Sequence, residues 1–402
     1  MRRMLSTNLS SVILGFPSEN VCGTDHSYDA SVINYKYICD GLLVSIIGCL
    51  GILSKFQWNT FVFDSNCLIS GNLFSIYVLS KPKLQDCFHR LLIALACFDT
   101  IYIIIGGINY TFKAFEVSSD AYSISFPFVI YPITNISLCG TIFMTVAISF
   151  ERFLGICYPL HLPPQNRKAW YYILPVSLLS IIVNLPKFFE GEIVWLEDDT
   201  SILMQPDDDF EFFNFTRYDD IPAIRPTDLR KNSNYIKYYV TYCRMFFTVI
   251  IPFMALLTIN LRIIAEVSKL KSKPFGSQRK LWKEVNMYMV LLSIVVIFIC
   301  CNTPRTIIDI WEFYHLEDIV NCNELYLEER SNHPFMPEKW IECLTHISHF
   351  TAIFNSSINF LVYCVVGHNF RKQLFCTIGL KKWNQPPPIE LTMQLTINEN
   401  KI

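Results

Sequence analysis

The sequence predicts an all-α membrane protein, a bundle of seven transmembrane helices followed by a short amphipathic eighth helix. Only 17% of the 402 residues are charged and 52% are hydrophobic, whereas about 25% of the residues of a soluble domain are charged. Seven apolar runs approach or exceed the 20 or so residues that cross a bilayer. Because hydrocarbon offers the backbone no hydrogen-bond partners, such runs fold as helices. Basic residues also gather in alternate connections, as they do in cytoplasmic loops.

The apolar runs define seven spans in order. They cover 37–53 continued by 71–79, then 87–110, 126–158, 169–189, 238–265, 285–311 and 341–366. The domain organisation that follows is an extracellular N-terminus (1–36), the seven-helix domain (37–366), the amphipathic eighth helix (367–378) and a disordered cytoplasmic tail (379–402).

Charge sidedness orients the chain in the membrane. Lysine, arginine and histidine concentrate in 81–90, 161–168, 269–283 and 371–382, which all lie on one side. The opposite connection 190–228 holds twelve carboxylates against two arginines. The excess of basic residues marks the cytoplasmic side, so we expect a multi-pass plasma-membrane protein with its N-terminus outside the cell.

The first span is interrupted by seventeen residues, 54–70, which include Lys55 and Asp64. Charges are costly in a lipid-facing helix. The codons of Ser54-Lys55-Phe56 can contain a splice-donor signal, and those of Ile69-Ser70-Gly71 can contain a splice-acceptor signal. We therefore interpret 54–70 as translated intron sequence of 51 nucleotides. The alternatives are a genuine insertion, or a first span that begins near residue 58 with 37–53 as an additional apolar segment.

Polar and proline residues recur once in most spans. Glu151-Arg152-Phe153 ends the third span; the other positions are Asn72, Asp99, Pro252, Pro304, Asn359 and Tyr363. Their order and spacing resemble the signature of rhodopsin-like G-protein-coupled receptors, over about residues 37–376. "LLIALACFDT", "MTVAISFERF", "NLPKFFE" and "SSINFLVYCVVGHNFR" together resemble invertebrate FMRFamide-type neuropeptide receptors.

The resemblance implies a polar pocket and an activation switch. The pocket would comprise Asp99, Thr141, Asn355, Ser356 and Asn359, either with a sodium ion as its only cofactor or with a neutral, hydrogen-bonded Asp99. In the switch, Arg152 pairs with Glu151 and bridges to Glu284, which is otherwise a solvated loop charge. The full set of switch residues is Glu151, Arg152, Phe153, Glu284, Asn302, Pro304, Asn359 and Tyr363.

Several positions depart from the family pattern. Asn302 stands where the sixth helix has Trp, Phe360 where the seventh has Pro, and Pro127 where the third begins with Cys. No cysteine lies in 189–237, so the candidate disulfides are Cys322 with Cys343, or Cys22 with Cys39. Asn8 and Asn214 lie in glycosylation sequons. Cys376 is a candidate palmitoylation site or a plain cysteine. No firm metal site is predicted.

The predicted partners are an extracellular peptide ligand, the lipid membrane and a heterotrimeric G protein, with no nucleic acid and no enzymatic activity. The resemblance implies an RFamide-like ligand that is cationic and amidated. The acidic outer loops would attract such a ligand; the alternative is that these loops only keep the surface solvated. Thr134 stands where an amine receptor needs an anion. The alternatives are an orphan or non-signalling decoy receptor, and a transporter or channel, which would show paired repeats.

Overall fold

The computed structural model describes residues 30–43, 71–115, 120–158, 168–196, 221–270, 278–327 and 337–377. Within these ranges six helices are long and apolar enough to cross a membrane: Cys87–Ala114, Phe126–Cys157, Trp170–Phe189, Ser233–Lys269, Met287–Tyr314 and Lys339–Val366. They match predicted spans two to seven in order and position, and we call them the second to seventh helices. The amphipathic eighth helix is His368–Thr377.

Two described segments belong to the first predicted span. The N-terminal segment comprises an α-helical turn, Ala30–Tyr35, and a π-helix, Lys36–Leu43; the second segment is the helix Gly71–Leu79. Both segments contact the second and seventh helices. The predicted insert 54–70 lies outside the described residues, as do the sequons at Asn8 and Asn214 and the predicted tail 379–402.

Several helices change winding along their length. The third begins as a π-helix, Phe126–Ile130, continues as Tyr131–Cys157, and follows a short helix, Asp120–Ser125. The fourth joins Trp170–Asn184 to a 3-10 turn, Leu185–Phe189. The fifth runs through Ser233–Tyr235, two π-helices, Ile236–Cys243 and Met245–Ile250, and the α-helix Ile251–Leu270. Pro252 lies inside this continuous fifth helix, just after the change from π- to α-winding, where its missing N–H removes one backbone hydrogen bond.

The sixth helix continues beyond the apolar run at both ends. It extends over Gln278–Tyr314 with Pro304 inside it, and a further helix, Leu316–Leu327, follows. Between the second segment and the second helix lies a 3-10 turn, Pro82–Leu84. A short helix, Asp228–Lys231, precedes the fifth.

A β-hairpin lies between the fourth and fifth helices, inside the connection predicted only as an acidic loop. Gly191–Leu196 pairs antiparallel with Ile221–Pro226, with Gly191 opposite Pro226 and Leu196 opposite Ile221. We call this side of the bundle the hairpin end and the other side the eighth-helix end.

The third helix is the centre of the bundle, because it packs against the second, fourth, fifth and sixth. The core around it includes the fully buried Leu95, Met144, Ile148 and Leu291. In lipid, helices associate through close packing rather than through the hydrophobic effect, and small residues permit that closeness. Gly140 is such a residue, since a Cβ atom there would lie 2.7 Å from Cγ of Phe98 on the second helix.

Candidate functional site

A buried carboxylate joins three helices in the middle of the bundle. Asp99 is fully buried; it accepts hydrogen bonds from Thr141 Oγ1 at 2.9 Å and from Asn359 Nδ2 at 2.7 Å. The Ser356 hydroxyl is a further partner of the carboxylate. Asn355 is buried on the same helix, but the described contacts do not connect it to Asp99. The structure therefore assembles most of the predicted polar pocket from the second, third and seventh helices.

The seventh helix is tied to the second segment of the first span. Asn72 Nδ2 donates a hydrogen bond of 2.8 Å to the backbone oxygen of Ser356. Phe360, which stands at the usual proline position, packs edge-on against Phe74 with ring centroids 5.7 Å apart. A Cβ atom added at Gly71 would lie only 3.2 Å from Cβ of Phe360. The phenyl ring thus fills the contact between these helices.

Tyr363, one turn beyond Asn359 and Phe360, is buried against the eighth helix. Its ring centroid lies 5.5 Å from that of Phe370, and among the described residues its hydroxyl has no hydrogen-bond partner. Cys376 is an exposed thiol near the end of the eighth helix. Its palmitoylation remains a prediction.

Arg152 is buried at the eighth-helix end of the third helix. Its Nε donates a hydrogen bond of 2.5 Å to Glu151, its guanidinium lies 4.6 Å from the centre of the Phe88 ring, and its Nη1 lies 3.6 Å from the sulfur of Met287. The predicted pair of Glu151 and Arg152 is therefore present. Glu284 belongs to the sixth helix, but its side chain lies outside the described part, so its bridge to Arg152 remains a prediction.

The remaining switch positions have local contacts. Phe153 packs edge-on against Tyr158 with centroids 5.5 Å apart. Asn302 Nδ2 donates 2.8 Å to the backbone oxygen of Phe298 and lines a cleft. Pro304 interrupts the hydrogen bonding of the sixth helix two residues later, because it has no N–H. Because Asn302 lines this cleft, it faces the bundle interior at the position where the family pattern has Trp.

The cleft opens between the third, fourth, fifth and sixth helices. It encloses about 680 Å³ including its solvent-filled mouth. Polar and charged residues line it together with apolar ones; among them are Asn135, Asn184, Lys187, Tyr239, Arg244, Asn302, Arg305 and Asp309. Such concave, mixed surfaces are typical of ligand sites.

Four charged side chains form a network beside this cleft. Arg244 of the fifth helix pairs with Asp309 at 3.1 Å and with Glu312 on the sixth. Arg305 pairs with Asp309 at 3.5 Å. This network is not among the predicted sites, although the spacing of four between Arg305 and Asp309 inside an apolar span is a signal visible in the sequence.

A second charged cluster closes the hairpin end. Glu190 accepts hydrogen bonds from Tyr235 at 2.8 Å and Tyr131 at 3.1 Å, and Arg230 lies 3.7 Å away. Lys187 donates to the Tyr131 hydroxyl at 3.0 Å. Burial alone would raise the pKa of Glu190, but the charges of Lys187 and Arg230 and the two hydroxyls outweigh it and hold the pKa below its usual value.

The structure corrects the predicted disulfides. Cys322 forms a disulfide, but Cys343 remains a thiol, so the pairing of Cys322 with Cys343 is wrong. Cys322 is buried against Ile341, and Cys343 follows Ile341 by two residues, which places it on a different helix face. Cys39 is also a thiol, so the alternative pairing with Cys22 is wrong as well.

Six spans, the two segments of the first span, the amphipathic helix and the pocket at Asp99 define a helical-bundle membrane protein. A profile of the family described as 7 transmembrane receptor (rhodopsin family) matches residues 71–363. The chain therefore belongs to this family of multi-pass membrane receptors, which are not enzymes.

Three relatives illustrate the similarity. The FMRFamide receptor of Drosophila melanogaster is 26% identical over 358 residues, 86% of this chain and 54% of the fly protein. The probable G-protein coupled receptor frpr-1 of Caenorhabditis elegans is 23% identical over 367 residues, 85% of this chain and 79% of the relative. The human melatonin receptor type 1B is 22% identical over 326 residues, which are 79% of this chain and 76% of the relative. The chain spans about half the length of the fly relative.

Proposed function

We propose that the protein is a plasma-membrane, G-protein-coupled receptor for an extracellular, amidated, arginine-containing neuropeptide of the FMRFamide type. The observation that carries the proposal is the open cleft toward the hairpin end with Asp309 and Arg305 in its wall. The resemblance to relatives named as FMRFamide receptors supports it. The N-terminus and the hairpin end would face the outside, and the basic eighth-helix end would face the cytoplasm.

The carboxylates beside the cleft offer a mode of recognition for the peptide arginine. Asp309 is almost fully buried, whereas its partner Arg305 is 35% exposed and the distance between them is 3.5 Å. An incoming guanidinium would replace Arg305 at Asp309 while Arg244 stays paired with Asp309 at 3.1 Å, so the buried carboxylate would remain compensated. An uncompensated buried charge would cost several kcal/mol. A planar guanidinium also binds a carboxylate through two parallel hydrogen bonds.

Electrostatic attraction would assist the approach of the peptide. Glu190 adds little to this attraction, because the neighbouring charges of Lys187 and Arg230 offset its own. Exposed carboxylates such as Glu192 are better placed to attract a cationic peptide. Steering by charge makes the association rate fall steeply as salt rises, whereas loops that only solvate predict a flat response.

Ligand binding would reach the G protein through the third and sixth helices. Release of Arg152 from its contacts would let the sixth helix move and open a binding surface at the eighth-helix end, as a two-state element biased by ligand. The oxygens of Asp99, Thr141 and Ser356 suit a hard cation, so a sodium ion held there would favour the state in which the second, third and seventh helices are joined.

A peptide screen with a charge-neutral analogue tests the proposal. Cells expressing the receptor, with and without 54–70, are exposed to amidated RFamide peptides, to analogues with citrulline in place of arginine, and to melatonin, with calcium and cAMP as readouts. We expect activation by an RFamide peptide and a loss of at least about tenfold in potency on Asp309→Asn, because a buried charge pair is broken. Citrulline should weaken the wild type but add little to the variant.

The matched control is Glu317→Gln, which removes the same charge from an exposed position beyond the sixth helix and should leave potency unchanged. Equal effects of the two substitutions would contradict recognition at Asp309. A response to melatonin alone would reject a peptide ligand, and peptide binding without any second-messenger response would indicate a decoy receptor.

A further inference from the structure

Three metal-binding side chains meet where the N-terminal segment packs against the seventh helix. Asp40 comes from the π-helix Lys36–Leu43, and His346 and His349 come from the seventh helix. One potential ligand atom of each residue lies within 4.8 Å of the other two. None of these three residues is among the predicted site residues.

The geometry is compact and already oriented. His346 Nδ1 lies 2.7 Å from Asp40 Oδ2, and His349 Nδ1 lies 3.0 Å from the same oxygen. The two imidazole rings stand nearly perpendicular, at 77° with centroids 6.2 Å apart, so both nitrogens point at the carboxylate from different directions. The spacing of three residues places both histidines on one helix face.

The orientation of His349 is fixed by its surroundings. Its ring stacks on Tyr110 of the second helix at 4.2 Å and 16°, and the Tyr110 hydroxyl lies 3.3 Å from that of Tyr102. A ligand held in position before the metal arrives loses little freedom on binding. Asp40 and His349 are buried, while His346 is partly exposed and leaves an approach for an ion.

We propose that Asp40, His346 and His349 form a zinc-binding site that links the N-terminal segment to the seventh helix. Two imidazole nitrogens and one carboxylate are a ligand set that Zn²⁺ takes, at about 2.0–2.2 Å with a fourth position open to water or another donor. Tetrahedral bonds of that length separate neighbouring ligand atoms by about 3.3 Å. The present separations of 2.7 and 3.0 Å between the histidine nitrogens and Asp40 need to widen by about 0.3–0.6 Å to reach that spacing, and the ligand atoms of the two histidines already lie within 4.8 Å of each other.

The donor types also select among ions. Imidazole suits zinc and copper, whereas magnesium and calcium prefer sites made only of oxygen. Binding requires both Nδ1 atoms to be deprotonated, and the metal would then replace the hydrogen bonds to Asp40. Bound zinc would hold the N-terminal segment against the seventh helix.

The test is zinc binding by the purified full-length receptor in detergent, after removal of metals by a chelator. We expect ZnCl2, but not MgCl2, to raise the melting temperature in a saturable manner. Asp40→Asn and His346→Gln should each weaken the apparent zinc affinity at least about tenfold, because the loss of even an outer-shell partner of a metal ligand costs about that much. His346→Cys keeps a zinc ligand and should retain binding.

His315→Gln is the matched control. It removes a histidine from the same end of the bundle, where His315 stacks on Trp311 and contacts its backbone oxygen, and it should leave zinc affinity unchanged. No zinc-dependent shift in the wild type, or equal shifts in His346→Gln and His315→Gln, would overturn the proposal and leave a hydrogen-bonded contact only.

A cobalt titration of the wild type decides the question if a variant does not fold. Co²⁺ bound by nitrogen and oxygen ligands in a tetrahedral site gives strong visible absorption that Zn²⁺ removes by displacement. We expect that spectrum and its loss on addition of zinc. An absorption spectrum of octahedral, solvent-like Co²⁺ would overturn the proposal.

Discussion

The side chain of Asn72 donates a hydrogen bond of 2.8 Å to the backbone oxygen of Ser356, 284 positions later in the chain. This contact fixes the second segment of the first span against the seventh helix. Asp40 fixes the N-terminal segment to the same helix through His346. The number of residues between these two contacts in the first span can therefore be compared with the number between their partners on the seventh helix.

The first prediction is that residues 54–70 are absent from the functional protein. Asp40 and Gly71 are 31 positions apart, whereas their contacts on the seventh helix, His346 or His349 and then Phe360, are only 14 or 11 positions apart. An unbroken helix at 1.5 Å per residue would need about 46 Å for the first interval, against about 17–21 Å for the second. Packed neighbouring helices need similar lengths, so about 17 to 20 residues are in excess by this pair of contacts. The contact of Asn72 with Ser356 gives about 22, since Asp40 and Asn72 are 32 positions apart and His346 and Ser356 only 10.

Deletion of 54–70 should raise the surface level and melting temperature of the receptor, because Lys55 and Asp64 each cost about 2.5–3.5 kcal/mol at the centre of a membrane helix. Sequencing of mature transcripts should show the matching 51 nucleotides removed. An equally long deletion within 379–402 serves as the control for size. Transcripts that always retain the segment, or a deletion that lowers the surface level, would contradict the prediction.

The second prediction concerns Arg152 and its partner on the sixth helix. Arg152 Nη1 lies 3.6 Å from Met287, and Glu284 precedes Met287 by three residues, which places both on one helix face. Glu284→Gln should raise ligand-free signalling about fivefold, because the loss of about 1 kcal/mol shifts a two-state equilibrium by that factor. Basal cAMP or calcium at matched surface levels is the measurement.

Glu266→Gln is the control for this switch. It removes an equal charge at the same end of the bundle, where Glu266 pairs with Lys269 at 3.5 Å. We expect basal signalling to stay at the wild-type level in that variant. If both variants signal alike, Glu284 does not hold the inactive state.

The sequence predicted the helices well because an apolar run reports contact with lipid directly. Spans two to seven agree with the structure to within a few residues at most ends, although the fifth and sixth helices extend further. A carboxylate in an apolar helix requires polar partners, so a polar site at Asp99 was predictable from the sequence. The family resemblance, rather than the physical argument, named Thr141 and Asn359 as its partners.

Other features depend on relations that one sequence does not display. Asp40 and His346 are 306 positions apart, and the interrupted first span hides their alignment. The network at Asp309 needs Arg244 from a different helix. The hairpin was missed because Pro222 and Pro226 lie in its second strand, and proline argues against a strand except at sheet edges.

The third prediction is a pH-dependent contribution of Glu190 to stability. Its pKa is held below the usual value in the folded protein, so its stabilisation is present at neutral pH and is lost as the pH falls below about 4.5 and through the lower folded pKa. Glu190→Gln should reduce the free energy of unfolding at pH 7 by about 1–3 kcal/mol, since buried partners lose a charged acceptor.

Melting curves of Glu190→Gln and the wild type at pH 7 and at several values below about pH 4.5 measure this effect, and the difference between the two proteins should shrink as the pH falls. Glu192→Gln is the control, because Glu192 is exposed two residues further on. A difference that stays constant with pH would show that Glu190 acts through packing rather than charge.

The fourth prediction contrasts two glycines in membrane helices. A Cβ atom at Gly140 would overlap the ring of Phe98, whereas at Gly107 it meets nothing within 4 Å. Gly140→Ala should lower the free energy of unfolding by about 1–3 kcal/mol through overpacking, and, since Thr141 follows Gly140, should disturb the hydrogen bond to Asp99. Gly107→Ala should instead be neutral or stabilise by about 0.5–1 kcal/mol, because alanine restricts the unfolded chain. Thermal melting in detergent compares the two, and equal melting temperatures would mean that the second and third helices separate easily enough to admit a methyl group.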